Sequence, residues 1–136
     1  MYSRSHLTTS LLVGLPMVAV VETPLGPAGT VGYARLVGTL VVLDHFLIAR
    51  VRTGSWRPRR RALASPRRAF VEQGELFGAG DVGPWTRLVT HLLIVGVLLG
   101  SLLGTWPSIA MVTGVVLSVH LVADAVWDRY RDRAGA

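Results

Sequence analysis

Six side chains in this sequence bring metal-ligating chemistry into an otherwise apolar setting: His6, Asp44, His45, His91, His120 and Asp124. His120 and Asp124 are four residues apart, so they share one face of a helix. The run before them, from Pro107 to Val119, contains nothing that ionises. Asp44 and His45 are adjacent and cannot point the same way on a regular helix, so one is expected to ligate while the other supports it. Imidazole nitrogen and carboxylate oxygen together suit a divalent ion, zinc first, with manganese and iron as further choices. Three or four such ligands with an open position would activate water for hydrolysis. Within the set, Asp44, His91 and Asp124 are the candidate catalytic residues.

Ionisable groups cost free energy inside membrane-spanning helices, and the segments that must position these six are apolar. Hydrophobic residues make up 51% of the 136 and charged residues only 16%, against roughly 25% charged in soluble domains. Trp85, Trp106 and Trp127 mark two spans of 21-residue spacing, each about 31 Å long, the thickness of a hydrocarbon core. Tryptophan at each boundary fits an interfacial aromatic belt. The spans are expected at about 6–22, 29–50, 85–106 and 107–127, with "GTWPS" (104–108) as the tight turn between the last two. The first is short and holds Pro16. A secretory signal peptide is its rival reading, but no small-x-small cleavage site supports one. The fold expected is therefore all-α: a single-domain, polytopic membrane protein with four transmembrane helices and a long loop, 51–84, between the second and third.

Charge sets the topology. Arg4 precedes the first span, Arg50, Arg52, Arg57, Arg59, Arg60, Arg61, Arg67 and Arg68 follow the second, Arg87 opens the third, and Arg129, Arg131 and Arg133 follow the fourth. The opposite loops, "TPLGPAG" (23–29) and "GTWPS", have no arginine. Four spans put every cluster on one side, so both termini and the long loop are expected in the cytoplasm, with the chain in the inner (plasma) membrane. On that topology His45 lies about 7 Å inside the cytoplasmic surface, His91 about 9 Å, His120 about 10 Å and Asp124 about 5 Å. His6 opens the first span on the same side. All four histidines of the protein thus share one depth. Arg35, near the opposite end of its span, is expected to snorkel outward.

The remaining features bound the partners. Net charge is +6, and its distribution favours a membrane surface over nucleic acid, which is not expected as a partner. The stretch "RTGSWRPRRRALASPRR" is polybasic and suited to anionic lipid headgroups. Phe70, Val71, Leu76 and Phe77, in the glycine-rich half of the loop, are candidate interfacial anchors. Gly96, Gly100 and Gly104 form a small-residue stripe for close packing, within the bundle or between copies in a homo-oligomer. Asp124 has a plain alternative as a partner of Arg129 or the basic loop. Asp128 and Asp132 are expected to pair with the terminal arginines in solvent. With no cysteine, disulfides, thiolate metal sites and cysteine nucleophiles are excluded.

At these residues the chain resembles a family of inner-membrane-associated, metal-dependent hydrolases of the LexA-binding type. The matching stretches are "SHLTTS" (5–10), with His6; "VLDH" (42–45), with Asp44 and His45; "TRLVTHL" (86–92), with Arg87, Thr90 and His91; and "VHLVAD" (119–124), with His120 and Asp124. Val42 stands where the family pattern has a further aspartate, and Thr86 where it has a further histidine. The resemblance implies a membrane-embedded metal-dependent hydrolase acting on a lipid or another phosphoester. Two other classes fit the composition: a haem-binding membrane protein with axial histidines, and a non-catalytic scaffold whose basic loop recruits a partner.

Overall fold

The computed structural model describes residues 3–65, 67, 76–77 and 82–134, and among them every regular element is helical. The order is α1 (Ser3–Val20), α2 (Gly26–Leu40), a 3-10 turn (Val41–Leu43), α3 (Asp44–Thr53), α4 (Arg57–Ala64), α5 (Pro84–Leu103) and α6 (Pro107–Ala134). Proline opens several of these elements: Pro27 and Pro58 lie in the first turns of α2 and α4, and Pro84 and Pro107 begin α5 and α6. At the start of a helix the missing N–H is an orphan donor anyway, and proline's fixed φ is already helical. Pro16 lies inside α1, which continues through it. At the end of α3, Gly54 adopts φ 70° and returns its N–H to the Arg50 carbonyl at 2.9 Å. This left-handed cap favours glycine and turns the chain out of the helix.

Three segments are long and apolar enough to cross a membrane: Gly26–Thr53, Pro84–Leu103 and Pro107–Tyr130. They point to membrane association. The apolar part of α1, His6–Val20, is shorter. The expected second span is two helices in series, joined by the 3-10 turn. The fourth helix runs past Trp127 to Ala134, because the charged tail continues it. The loop expected at 51–84 contains α4, built on the arginines themselves, and Trp56 before it lies between the guanidinium groups of Arg50 and Arg59, 5.7 and 5.4 Å from its ring centroid.

Helix α6 is the centre of the packing, with α1, α2 and α5 against it and α3 against α5. Met17, Val21, Ala34, Val112 and Val116 form one buried cluster, and Val41 and Leu117 another with Val37, Ile94, Val95 and Leu98 against them. Polar contacts tie the same helices together: the Tyr33 and Thr113 hydroxyls meet at 2.7 Å between α2 and α6. Leu12 and Leu15 of α1, Leu93 and Val97 of α5, and Val122 and Val126 of α6 are exposed. In water such a surface is a liability; in lipid it is the ordinary outer face of a helix. Trp85 and Trp106, at the two ends of α5, are exposed as well, and Arg35 is exposed, as expected.

Glycine brings helices together at other positions than the expected ones. A Cβ at Gly38 of α2 would stand 2.8 Å from the Ser10 Cβ of α1 and 3.3 Å from Val116 of α6. A Cβ at Gly14 would stand 2.9 Å from that of Ala34. Gly96, Gly100 and Gly104 would meet nothing within 4 Å. Among the described residues the stripe on α5 therefore meets no neighbouring helix, because α5 approaches α6 through Ile94, Val95 and Leu98.

Candidate metal centre

Each of four helices delivers one histidine to the same place. His6 comes from the first turns of α1, His45 from the start of α3, His91 from α5 and His120 from α6, and all four are buried. Asp44 and Asp124, also buried, lie between them. His6 Nε2 is 3.4 Å from Asp124 Oδ1, while His120 Nε2 and His91 Nε2 are 3.6 and 3.8 Å from Asp124 Oδ2. On the other side, His91 Nδ1 is 3.0 Å from Asp44 Oδ2 and His45 Nε2 is 3.8 Å from Asp44 Oδ1. His91 thus faces one carboxylate with each ring nitrogen.

Asp44 and His45, adjacent at the start of α3, are both buried beside His91, and each offers a ligand atom to the same group. The preceding turn, Val41–Leu43, is wound as a 3-10 helix. Its tighter winding advances the chain by about 60° more over three residues than an α-helix would, which changes the phase at which α3 starts. Thr90, one turn from Arg87 on α5, donates its hydroxyl to Asp44 Oδ2 at 2.6 Å and fixes that carboxylate.

The ligating atoms fall into two groups, His6 with His120 and Asp124, and Asp44 with His45 and His91, each within 4.8 Å. Donors about 2.0–2.1 Å from a tetrahedral ion lie about 3.3 Å from one another, so each group must draw its ligand atoms closer together to hold one ion. Among the described residues, both ring nitrogens of His6 and of His120 and Nε2 of His45 have no hydrogen-bond partner. A buried polar atom left so costs about 1–3 kcal/mol, and a cation would take the one nitrogen lone pair of each neutral imidazole, the other nitrogen remaining an N–H donor. The residues present therefore fit a divalent cation, and the donor set of imidazole and carboxylate is that of zinc, manganese or iron.

Further residues surround these six. Arg87 Nε is 3.7 Å from Asp124 Oδ2, and its terminal nitrogen pairs with Asp128. The Arg87 side chain is only 12% exposed, so its charge acts on the two carboxylates from a largely buried position. Asp128 therefore pairs across to α5, a partner other than the terminal arginines expected for it, and Asp124 forms ion pairs with Arg87 and the histidines. The side chain of Asp132, and Phe70 and Val71, lie outside the described residues. Ser10 donates to the His6 carbonyl at 2.7 Å, one turn on. The loop residues expected at the lipid interface fold inward: Leu76 is fully buried, and Phe77 stands edge-on to His45 at 6.1 Å between centroids and 5.3 Å from Phe46. Nothing in the spacing of the sequence pairs Arg87 with Asp128 or seats Phe77; only the register of α5 against α6 and the return of the loop reveal them.

Comparison with protein-family models, with curated proteins and with solved structures finds no match for this chain.

Proposed function

We propose that this protein is a membrane-embedded, metal-dependent hydrolase-like protein, a four-helix bundle with α1 as its first span. The long loop and both termini are on the cytoplasmic side, and the metal is held by His6, Asp44, His45, His91, His120 and Asp124. One observation carries the reading: four helices converge their only histidines on two buried carboxylates at donor separations of 3.0–3.8 Å. A divalent cation there supplies Lewis acidity and an activated water for hydrolysis, zinc being the first choice. The resemblance to the LexA-binding type of inner-membrane hydrolase supports the same reading, since its matched residues include Arg87 and Thr90, which hold Asp124 and Asp44. Val42 and Thr86 remove one carboxylate and one imidazole from that pattern, so the centre proposed here is built from six residues.

The chain's own side chains divide the work. Asp124 gathers His6, His91 and His120, and Asp44 gathers His45 and His91. Arg87 offsets negative charge beside Asp124, and the arginines of 50–68 draw an anionic lipid or phosphoester to the cytoplasmic surface. A haem is disfavoured by geometry: the His6 and His120 rings stack at 3.9 Å and 15°, which leaves no slot for a macrocycle between opposed nitrogens. A pure scaffold leaves the buried histidines without a role.

The test is metal analysis of protein purified in detergent without chelator. Wild type is expected to carry zinc, manganese or iron at about the concentration of the chain, and His91→Ala, which loses contact with both carboxylates, to lose it. Metal-free wild type would overturn the proposal.

A further inference from the structure

The two ligand groups differ in how ready they are, and the difference has a chemical consequence. Around Asp44, the carboxylate is already fixed by Thr90 at 2.6 Å, and His91 Nδ1 faces it at 3.0 Å. Among the described residues no arginine pairs with Asp44, so this group is the more negative of the two. Around Asp124, Arg87 already stands 3.7 Å away, and the His6 and His120 rings lie face to face at 3.9 Å. Lone pairs of stacked rings run side by side in parallel planes, so these two imidazoles must turn before they converge on one ion.

Charge adds a second constraint. Among the described side chains, the ion pairs at the cluster join Asp44, Asp124 and Asp128 with Arg87, a side-chain charge of two negative. Neutral imidazole ligands add none. One divalent ion balances the charge of these side chains. A second ion alone would leave two positive charges within spanning helices, where net charge is heavily penalised. A bound dianion cancels them, and Arg87 is in place to meet it once it leaves Asp128.

Resting on the metal reading above, we infer that the cluster holds two cation positions and that the second fills only together with an oxyanion of the phosphate class. Asp44, His45 and His91 hold the resident ion. His6, His120 and Asp124 hold the one that arrives with the anion, and by linkage each of the two tightens the other's binding. The six ligand residues then serve as two three-ligand sets, each with a position open to the anion, as in two-metal sites whose ions are about 3.5–4 Å apart.

The experiment uses full-length protein in detergent, dialysed to equilibrium against Mn(II), with three arms: no anion, inorganic phosphate, and a short-chain phosphatidic acid. Bound Mn is counted and its magnetic resonance spectrum recorded. The expected result is one Mn per chain with an uncoupled six-line spectrum in the first arm, and two per chain with a spin-coupled spectrum in one or both anion arms. The arm that responds identifies free phosphate or a lipid headgroup as the source. His120→Ala is expected to keep one Mn and to lose the anion-dependent second. One Mn in every arm, or two without any anion, overturns this inference and leaves the metal reading standing. No Mn in any arm overturns both.

Discussion

Arg87 reaches two carboxylates one helical turn apart on α6, Asp124 and Asp128, from its place near the start of α5. Breaking a buried pair leaves an uncompensated charge, at a cost of order 3 kcal/mol. Arg87→Met is therefore expected to lower the unfolding free energy in mild detergent by about that amount, and Arg87→Lys by less, since one ammonium cannot span both carboxylates as a guanidinium fork does. Equal stability of Arg87→Met and wild type in equilibrium unfolding would count against the bridge. At this scale much of the site is legible in the sequence. The types of the six residues, and the distances of His45, His91, His120 and Asp124 from Arg50, Trp85 and Trp127, are enough to place them at one depth. The partners of Arg87 and Asp128 are not legible there, because a pair across two helices depends on their register, which local spacing does not carry.

Among the helices, close approach is made by single glycines. Gly38 faces Ser10 and Val116 where α1, α2 and α6 meet, with no room for a Cβ, and that contact lies one turn from His6. Gly38→Val is expected to be destabilised by about 1–3 kcal/mol through overpacking, with a matching fall in thermal midpoint, whereas Gly96→Val is expected to sit near wild type. A larger loss at Gly96 than at Gly38 would show that the α5 stripe packs against something after all. The regular spacing of Gly96, Gly100 and Gly104 suggests the wrong face, because a small-residue pattern states that close packing is possible and not where a neighbour lies. The 3-10 turn before Asp44 is equally hidden: three consecutive apolar β-branched or leucine residues, Val41–Leu43, read the same in either winding. That turn sets the phase at which α3, and with it Asp44 and His45, enters the site.

At the level of the whole molecule, the all-helical architecture and its long apolar segments follow from composition and from the tryptophan spacing, while the inward fold of Leu76 and Phe77 depends on tertiary contacts that the glycine-rich loop does not announce. The proposed topology sets the site below the cytoplasmic surface, beneath the arginine-rich loop. Because the chain has no cysteine, single substitutions map it cleanly: Thr105→Cys is expected to react with an impermeant maleimide on intact cells, and Arg59→Cys only after lysis. The reverse pattern would invert the bundle and remove the cytoplasmic route for substrate. The central claim, that four helices assemble one imidazole–carboxylate centre for a divalent ion, is tested most directly by X-ray absorption on the zinc-loaded protein. The account expects a nitrogen and oxygen shell at about 2.0–2.1 Å with the outer-shell scattering of more than one imidazole. A shell of water oxygens without imidazole scattering, or zinc lost on simple dialysis, would contradict it.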